Sequence, residues 1–85
     1  MINRMQRLYT LQAISKLWKQ RGAKTSISYA EVIYEVADTG SDIGRPELTA
    51  LLGTISSCVQ RQGENITVVN VERLDEKVEQ GKRND

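Results

Sequence analysis

The 85-residue chain has no histidine, no phenylalanine, one cysteine, one proline and one tryptophan. Each shortage closes off a class of chemistry. A lone thiol forms no intrachain disulfide, and without histidine the Cys/His ligand sets of zinc sites cannot be assembled. The same thiol, Cys58, has no imidazole to activate it as a nucleophile. There is no glycine-rich loop to cradle a phosphate and no inward-pointing pair of carboxylates, so no acid, base and nucleophile can be drawn together. The expectation is a non-enzymatic protein with no metal, no cofactor and no small-molecule substrate. Apolar runs also fall short of the ~20 residues a membrane span needs. No apolar segment of a secretion signal follows Arg4 and Arg7. A cytoplasmic protein without a membrane partner is expected.

Acid is missing from the amino-terminal part of the chain. Residues 1 to 24 carry six cations, Arg4, Arg7, Lys16, Lys19, Arg21 and Lys24, and no carboxylate. Residues 25 to 52 reverse the sign, with Glu31, Glu35, Asp38, Asp42 and Glu47 against Arg45 alone. The net charge of +1 therefore hides a segregation along the chain. Segregated charge steers a polyanion to one face, or simply marks a helix with a solvated basic side.

Present instead are helix signals. Met5, Leu8, Leu11, Ile14, Leu17 and Trp18 recur at steps of three and four, the repeat of one helix face, which predicts a first helix over residues 5 to 21. Thr25 and Ile27 lie in a connector short enough to form a minor strand. Ser28 and Glu31 then spell a capping box, the hydroxyl accepting from the Glu31 amide and the carboxylate from the Ser28 amide. Ile27 and Val32 flank that cap as a hydrophobic staple, so helix two starts here. It is apolar on most sides through Ala37, and is expected to be the most buried element, broken only by the acidic stripe Glu31, Glu35 and Asp38. The stretch TGSDIG is a turn with Ile43 as a plug. Pro46 and Glu47 suit the first turn of helix three. Leu48, Leu51, Leu52, Ile55 and Val59 give that helix an apolar stripe ending before Gly63. The β-branched run ITVVNV, residues 66 to 71, reads as a strand. One domain over residues 1 to 72 is expected, with a charged tail, 73 to 85, that is either a frayed helix or disordered. A domain this short buries only ~60 to 65% of the surface it exposes when unfolded.

The order helix, short strand, helix, turn, helix, strand is that of a winged helix, a helix-turn-helix variant with a β-hairpin at its edge. The runs ISYAEVIYEV, GRPELTALLGTI and ITVVNV, within residues 25 to 71, resemble the DNA-binding part of alkylguanine-DNA alkyltransferases and their alkyltransferase-like relatives. They are similar too to small winged-helix domains of phage and defence-system endonucleases. The resemblance implies a mostly α fold, three helices plus a short two-stranded wing, with helix three as the recognition helix. It places Arg45 where the family has an arginine that holds a target base out of the stack. Alkyl transfer is not implied: the family's Pro-Cys-His-Arg segment is absent, and Cys58 falls within helix three.

On a helical projection of helix three, Ala50, Gly53 and Ser57 lie opposite the apolar stripe, flanked by Thr54, Gln60 and Arg61. Glycine inside an exposed helix costs about 1 kcal/mol relative to alanine, so Gly53 suggests close approach of something from outside. Two readings follow. In one the chain is a small phage or bacterial regulatory or accessory factor binding duplex DNA. Arg45, Thr54, Gln60 and Arg61 meet base edges or phosphates, and Lys16, Lys19, Arg21 and Lys24 meet phosphates. In the other the fold is a protein-interaction module that docks on a host or partner protein, or forms a homodimer through Ala50, Gly53 and Ser57. Each residue also has a plain reading: Arg45 paired with Asp42 or Glu47, the lysines solvated, Cys58 a buried inert thiol, Trp18, Tyr9, Tyr29 and Tyr34 core side chains with surface hydroxyls.

Overall fold

A computed structural model describes residues 3–22 and 26–83. The order is α1 (Arg4–Gln20), β1 (Ile27–Ser28), α2 (Tyr29–Ala37), α3 (Arg45–Thr54), β2 (Val59–Gln62), β3 (Asn65–Val68) and α4 (Val71–Arg83). The architecture is mostly helical with one small antiparallel sheet in the order β1-β3-β2. It has four helices among the described residues rather than the expected three, and three strands rather than two.

Helix α1 starts one residue before the apolar repeat, because Asn3 and Gln6 form a reciprocal capping box, each side chain accepting from the other's amide at 2.8 Å. Leu8, Leu11, Ile14 and Trp18 are buried as the repeat requires, Leu17 is half-buried, and Met5 stands out in solvent. Helix α2 begins at the Ser28 cap, where both halves of the Ser28–Glu31 box are made. Its burial departs from expectation. Tyr29, Val32 and Val36 enter the core, whereas Ala30, Tyr34 and Ala37 form an open outer stripe. Tyr34 is 77% exposed, not a core side chain. Ile43 is the expected plug, 4% exposed.

The largest departure follows α3. The helix ends at Thr54 rather than near Gly63, and the chain turns through Ile55 and Cys58 into a hairpin. Ile55 and Val59 are buried as a continued helical stripe would have them, but from a turn and a strand. Cys58 is fully buried and lies in that turn, not in a helix. Pairing of Gln62 with Asn65 leaves the two-residue loop Gly63–Glu64, and Gly63 takes the positive φ of +61° that such a loop asks for. β3 is central: Ile66 faces Ile27 of β1 on one side and Arg61 of β2 on the other. β2 is thus an edge strand.

The charged carboxyl segment is a helix. Asn70 caps α4 by accepting from the Arg73 amide at 3.1 Å. Leu74 and Val78 are buried, half-buried Val71 packs on the same core, and the element runs across residue 72 without a break. It lies antiparallel to α1. Asp75 receives Ser15 Oγ at 2.7 Å and Lys19 Nζ at 2.9 Å, while Gly81 meets Leu8 at the other end. No helix among the described residues is long and apolar enough to cross a membrane.

Candidate functional site

Helix α3 is placed by its inner face, where Leu48, Leu51 and Leu52 are buried, and by Tyr29 of α2, whose hydroxyl meets Thr49 Oγ1 at 2.9 Å. Its amino end uses no side-chain cap. Gly44 stands at the cap position, and the Glu47 carboxylate folds over the space a Cβ there would need. Pro46 occupies the first turn as expected. These constraints turn Ala50, Gly53 and Thr54 outward, all exposed. A Cβ built on Gly53 would meet nothing within 4 Å, so the domain's own packing does not require glycine there.

Between α3 and β2 lies an open groove of about 610 Å³ lined by Thr49, Gly53 and Ser56 on one side and by Gln60, Arg61 and Gln62 on the other, with Leu52 and Val59 between them. The predicted residues Gly53, Gln60 and Arg61 are therefore neighbours, though not on one helix. Gln60 and Arg61 belong to β2, which corrects their assignment to the flank of α3. Ser57 is exposed but lies in the turn after α3, so Ala50, Gly53 and Ser57 do not make a continuous helical stripe. Thr54 donates its hydroxyl to the Leu51 carbonyl at 2.8 Å and does not line the groove. Thr49, Ser56 and Gln62 do line it; Thr49 stands on α3 itself, while Ser56 and Gln62 were missed because their places depend on the turn and the hairpin.

Among the described residues no carboxylate lines the groove. Arg61 donates to the Gly63 carbonyl at 3.1 Å, which holds its guanidinium beside the hairpin loop. Arg45, at the head of α3, pairs with Glu64 of that loop rather than with Asp42 or Glu47. Both side chains of the pair are more than half exposed. Exposed pairs of this kind contribute only about 0 to 1 kcal/mol, so a phosphate can take the guanidinium over.

The α1 cations are placed differently. Lys16 pairs with Glu35, Arg21 with Glu31 and Lys19 with Asp75. Hydrogen bonding to Glu35, reinforced by its charge, raises Lys16 above the ordinary lysine value. The Lys19 hydrogen bond holds Asp75 below the usual carboxylate range; burial opposes this and Ser15 adds to it. Three of the four cations of this segment expected to meet phosphate are thus bound to carboxylates of α2 and α4, and the fourth, Lys24, lies outside the described residues. No group of three or more Cys, Asp or Glu side chains is arranged to hold a metal ion among the described residues.

Compared with known proteins, the chain matches no family model, no curated protein and no solved structure.

Proposed function

We propose that the chain is a non-catalytic winged helix that binds duplex nucleic acid through α3 and the β2–β3 hairpin. The winged-helix reading is supported by the order α1-β1-α2-α3-β2-β3 and by β3 lying between β1 and β2. The binding reading is carried by a groove with no carboxylate among its described lining residues, in which small α3 side chains face the amides and guanidinium of Gln60, Arg61 and Gln62. Small side chains let a helix approach a groove wall, and amides and arginine are the groups that bond base edges and phosphates. Arg45 and Arg61 flank this surface, so few phosphates are engaged. Duplex binding followed by fluorescence anisotropy at low salt tests the reading: wild type binds, and Arg45→Ala with Arg61→Ala weakens it at least tenfold. Absence of binding, or binding indifferent to both changes, rejects it.

A second reading is favoured by a specific observation. Lys16, Lys19 and Arg21 are all ion-paired within the chain, which withdraws these three cations of α1 from a polyanion. Open edge strand β2 and the outer face of α3 would then meet a partner protein or a second copy. Light scattering separates the homodimer version: a dimer in wild type that becomes a monomer in Gly53→Leu supports it, and a monomer in both removes it.

A further inference from the structure

A second cleft, of about 290 Å³, opens where α1 begins and α4 ends, and it shares no lining residue with the α3–β2 groove. Arg4, Arg7, Leu8 and Leu11 reach it from successive turns of one face of α1. Lys77, Gln80 and Gly81 reach it from α4. Both leucines are buried and supply an apolar wall. Among the described residues no carboxylate lines the cleft, and neither Arg7 nor Lys77 has an ion-pair partner. The contrast is with Lys16, Lys19 and Arg21 farther along α1, each of which has one.

The arrangement works against the stability of the free protein in two ways. The amino end of a helix carries partial positive charge and favours acids, yet α1 has no acid in its first turn and places Arg7 there. The carboxyl end of α4 offsets part of that potential, but Lys82 and Arg83 sit at the same end. Gly81 is the second. Glycine is a poor helix former, and it is tolerated here because a Cβ would come within 3.0 Å of the Leu8 side chain. Its absence lets the last turns of α4 close on Leu8 and form the cleft.

We propose that this cleft binds a small organic anion, a carboxylate carried on an apolar body. Guanidinium and ammonium from two helices would hold the carboxylate, the planar Arg7 fork engaging both oxygens. Leu8 and Leu11 would receive the apolar part. The volume, about 290 Å³, lies just below the ~300 to 1,000 Å³ usual for small-molecule sites, so the cleft suits a small occupant. Convergence of like charges beside apolar wall is also a recurrent design of ligand sites, where function is kept at the expense of stability. The site is independent of the nucleic-acid reading.

The test uses the full chain, labelled with nitrogen-15 and titrated with hexanoate, hexanol and inorganic phosphate in separate arms. Hexanoate is expected to shift the amides of Leu8, Leu11 and Gly81 saturably, leaving those of Gly53 and Gln60 in place. Hexanol and phosphate, each offering half of the chemistry, shift them weakly or not at all. Arg7→Gln with Lys77→Gln removes the hexanoate response, and Arg7→Gln alone raises the Tm of the ligand-free protein by relieving repulsion. Four results would each overturn the proposal: no saturable shift, an equal response to hexanol, an equal response to phosphate, or a response that survives the double substitution. A lowered Tm in Arg7→Gln would also overturn it, because Arg7 would then be a structural contact.

Discussion

The two ends of this small domain treat charge in opposite ways. Where α1 meets α2 and α4, cations and carboxylates interlock: Lys16 with Glu35, Arg21 with Glu31, Lys19 with Asp75, the last joined by the Ser15 hydroxyl. Where α3 meets the hairpin, the surface is small and polar, no carboxylate lines the groove among the described residues, and Arg61 and the exposed Arg45–Glu64 pair stand on its borders. The lesson is that segregation along a sequence does not survive folding. Lys16, Lys19 and Arg21 look available when read in order, but Glu35 and Glu31 of α2 and Asp75 of α4 are folded onto them.

Substitutions can break or sharpen this contrast. The largest effect is expected at the α1–α4 junction, where Leu74 is fully buried. Leu74→Ala should lower stability by roughly 2 to 5 kcal/mol, the range for emptying a core position. Urea denaturation measures it, and a loss below about 1 kcal/mol would show that α4 is not part of the cooperative unit. Asp75→Asn comes next. It removes a charged acceptor from Ser15 and Lys19 in a partly exposed place, and should lower stability by about 1 kcal/mol. The effect must also depend on pH. Because Asp75 is held below the usual carboxylate range, its contribution is present above the unfolded carboxylate value and is lost as pH falls through the depressed folded one. Wild type and Asp75→Asn should therefore converge in stability at acid pH; a constant gap would contradict the pairing.

A smaller effect, of opposite sign, is expected in the other region. Gly53→Ala meets no neighbour within 4 Å and replaces a poor helix former, so stability should rise by up to about 1 kcal/mol. If affinity for duplex nucleic acid falls in the same variant, the two regions are separated cleanly: one sets stability, the other binding. Lys16→Ala should have the least effect. The direction alone is set: its contribution with Glu35 is present below the ordinary lysine value and is lost as pH rises through the raised folded one.

Much of this could be read in the chain beforehand, and the exceptions have physical causes. The start of α2 was legible because Ser28, Glu31, Ile27 and Val32 agree on one boundary, and the structure makes both capping bonds. The hairpin was hidden because Ile55 and Val59 continue the three-and-four spacing of α3, although they are buried from a turn and an edge strand. Ser56 and Ser57, then Gly63 between VQRQ and NITV, were the local signals against a longer helix. Helix α4 was hidden by its charge. Its apolar stripe is only Val71, Leu74 and Val78, and Asn70 as the cap was the clue that outweighed composition. The site followed the same rule: Gly53 could be singled out from helix chemistry alone, whereas Gln60 and Arg61 reach the groove only through strand pairing. Ion pairs such as Lys19 with Asp75 join residues far apart in sequence and leave no local mark.

The salt dependence of duplex affinity tests the central claim most directly. With only Arg45 and Arg61 engaged, the logarithm of the binding constant should fall against the logarithm of salt with a slope near −2, and Lys16→Ala with Lys19→Ala should leave it unchanged. A slope of about −5 or steeper that collapses in that α1 variant would contradict the account, as would the absence of any binding at low salt.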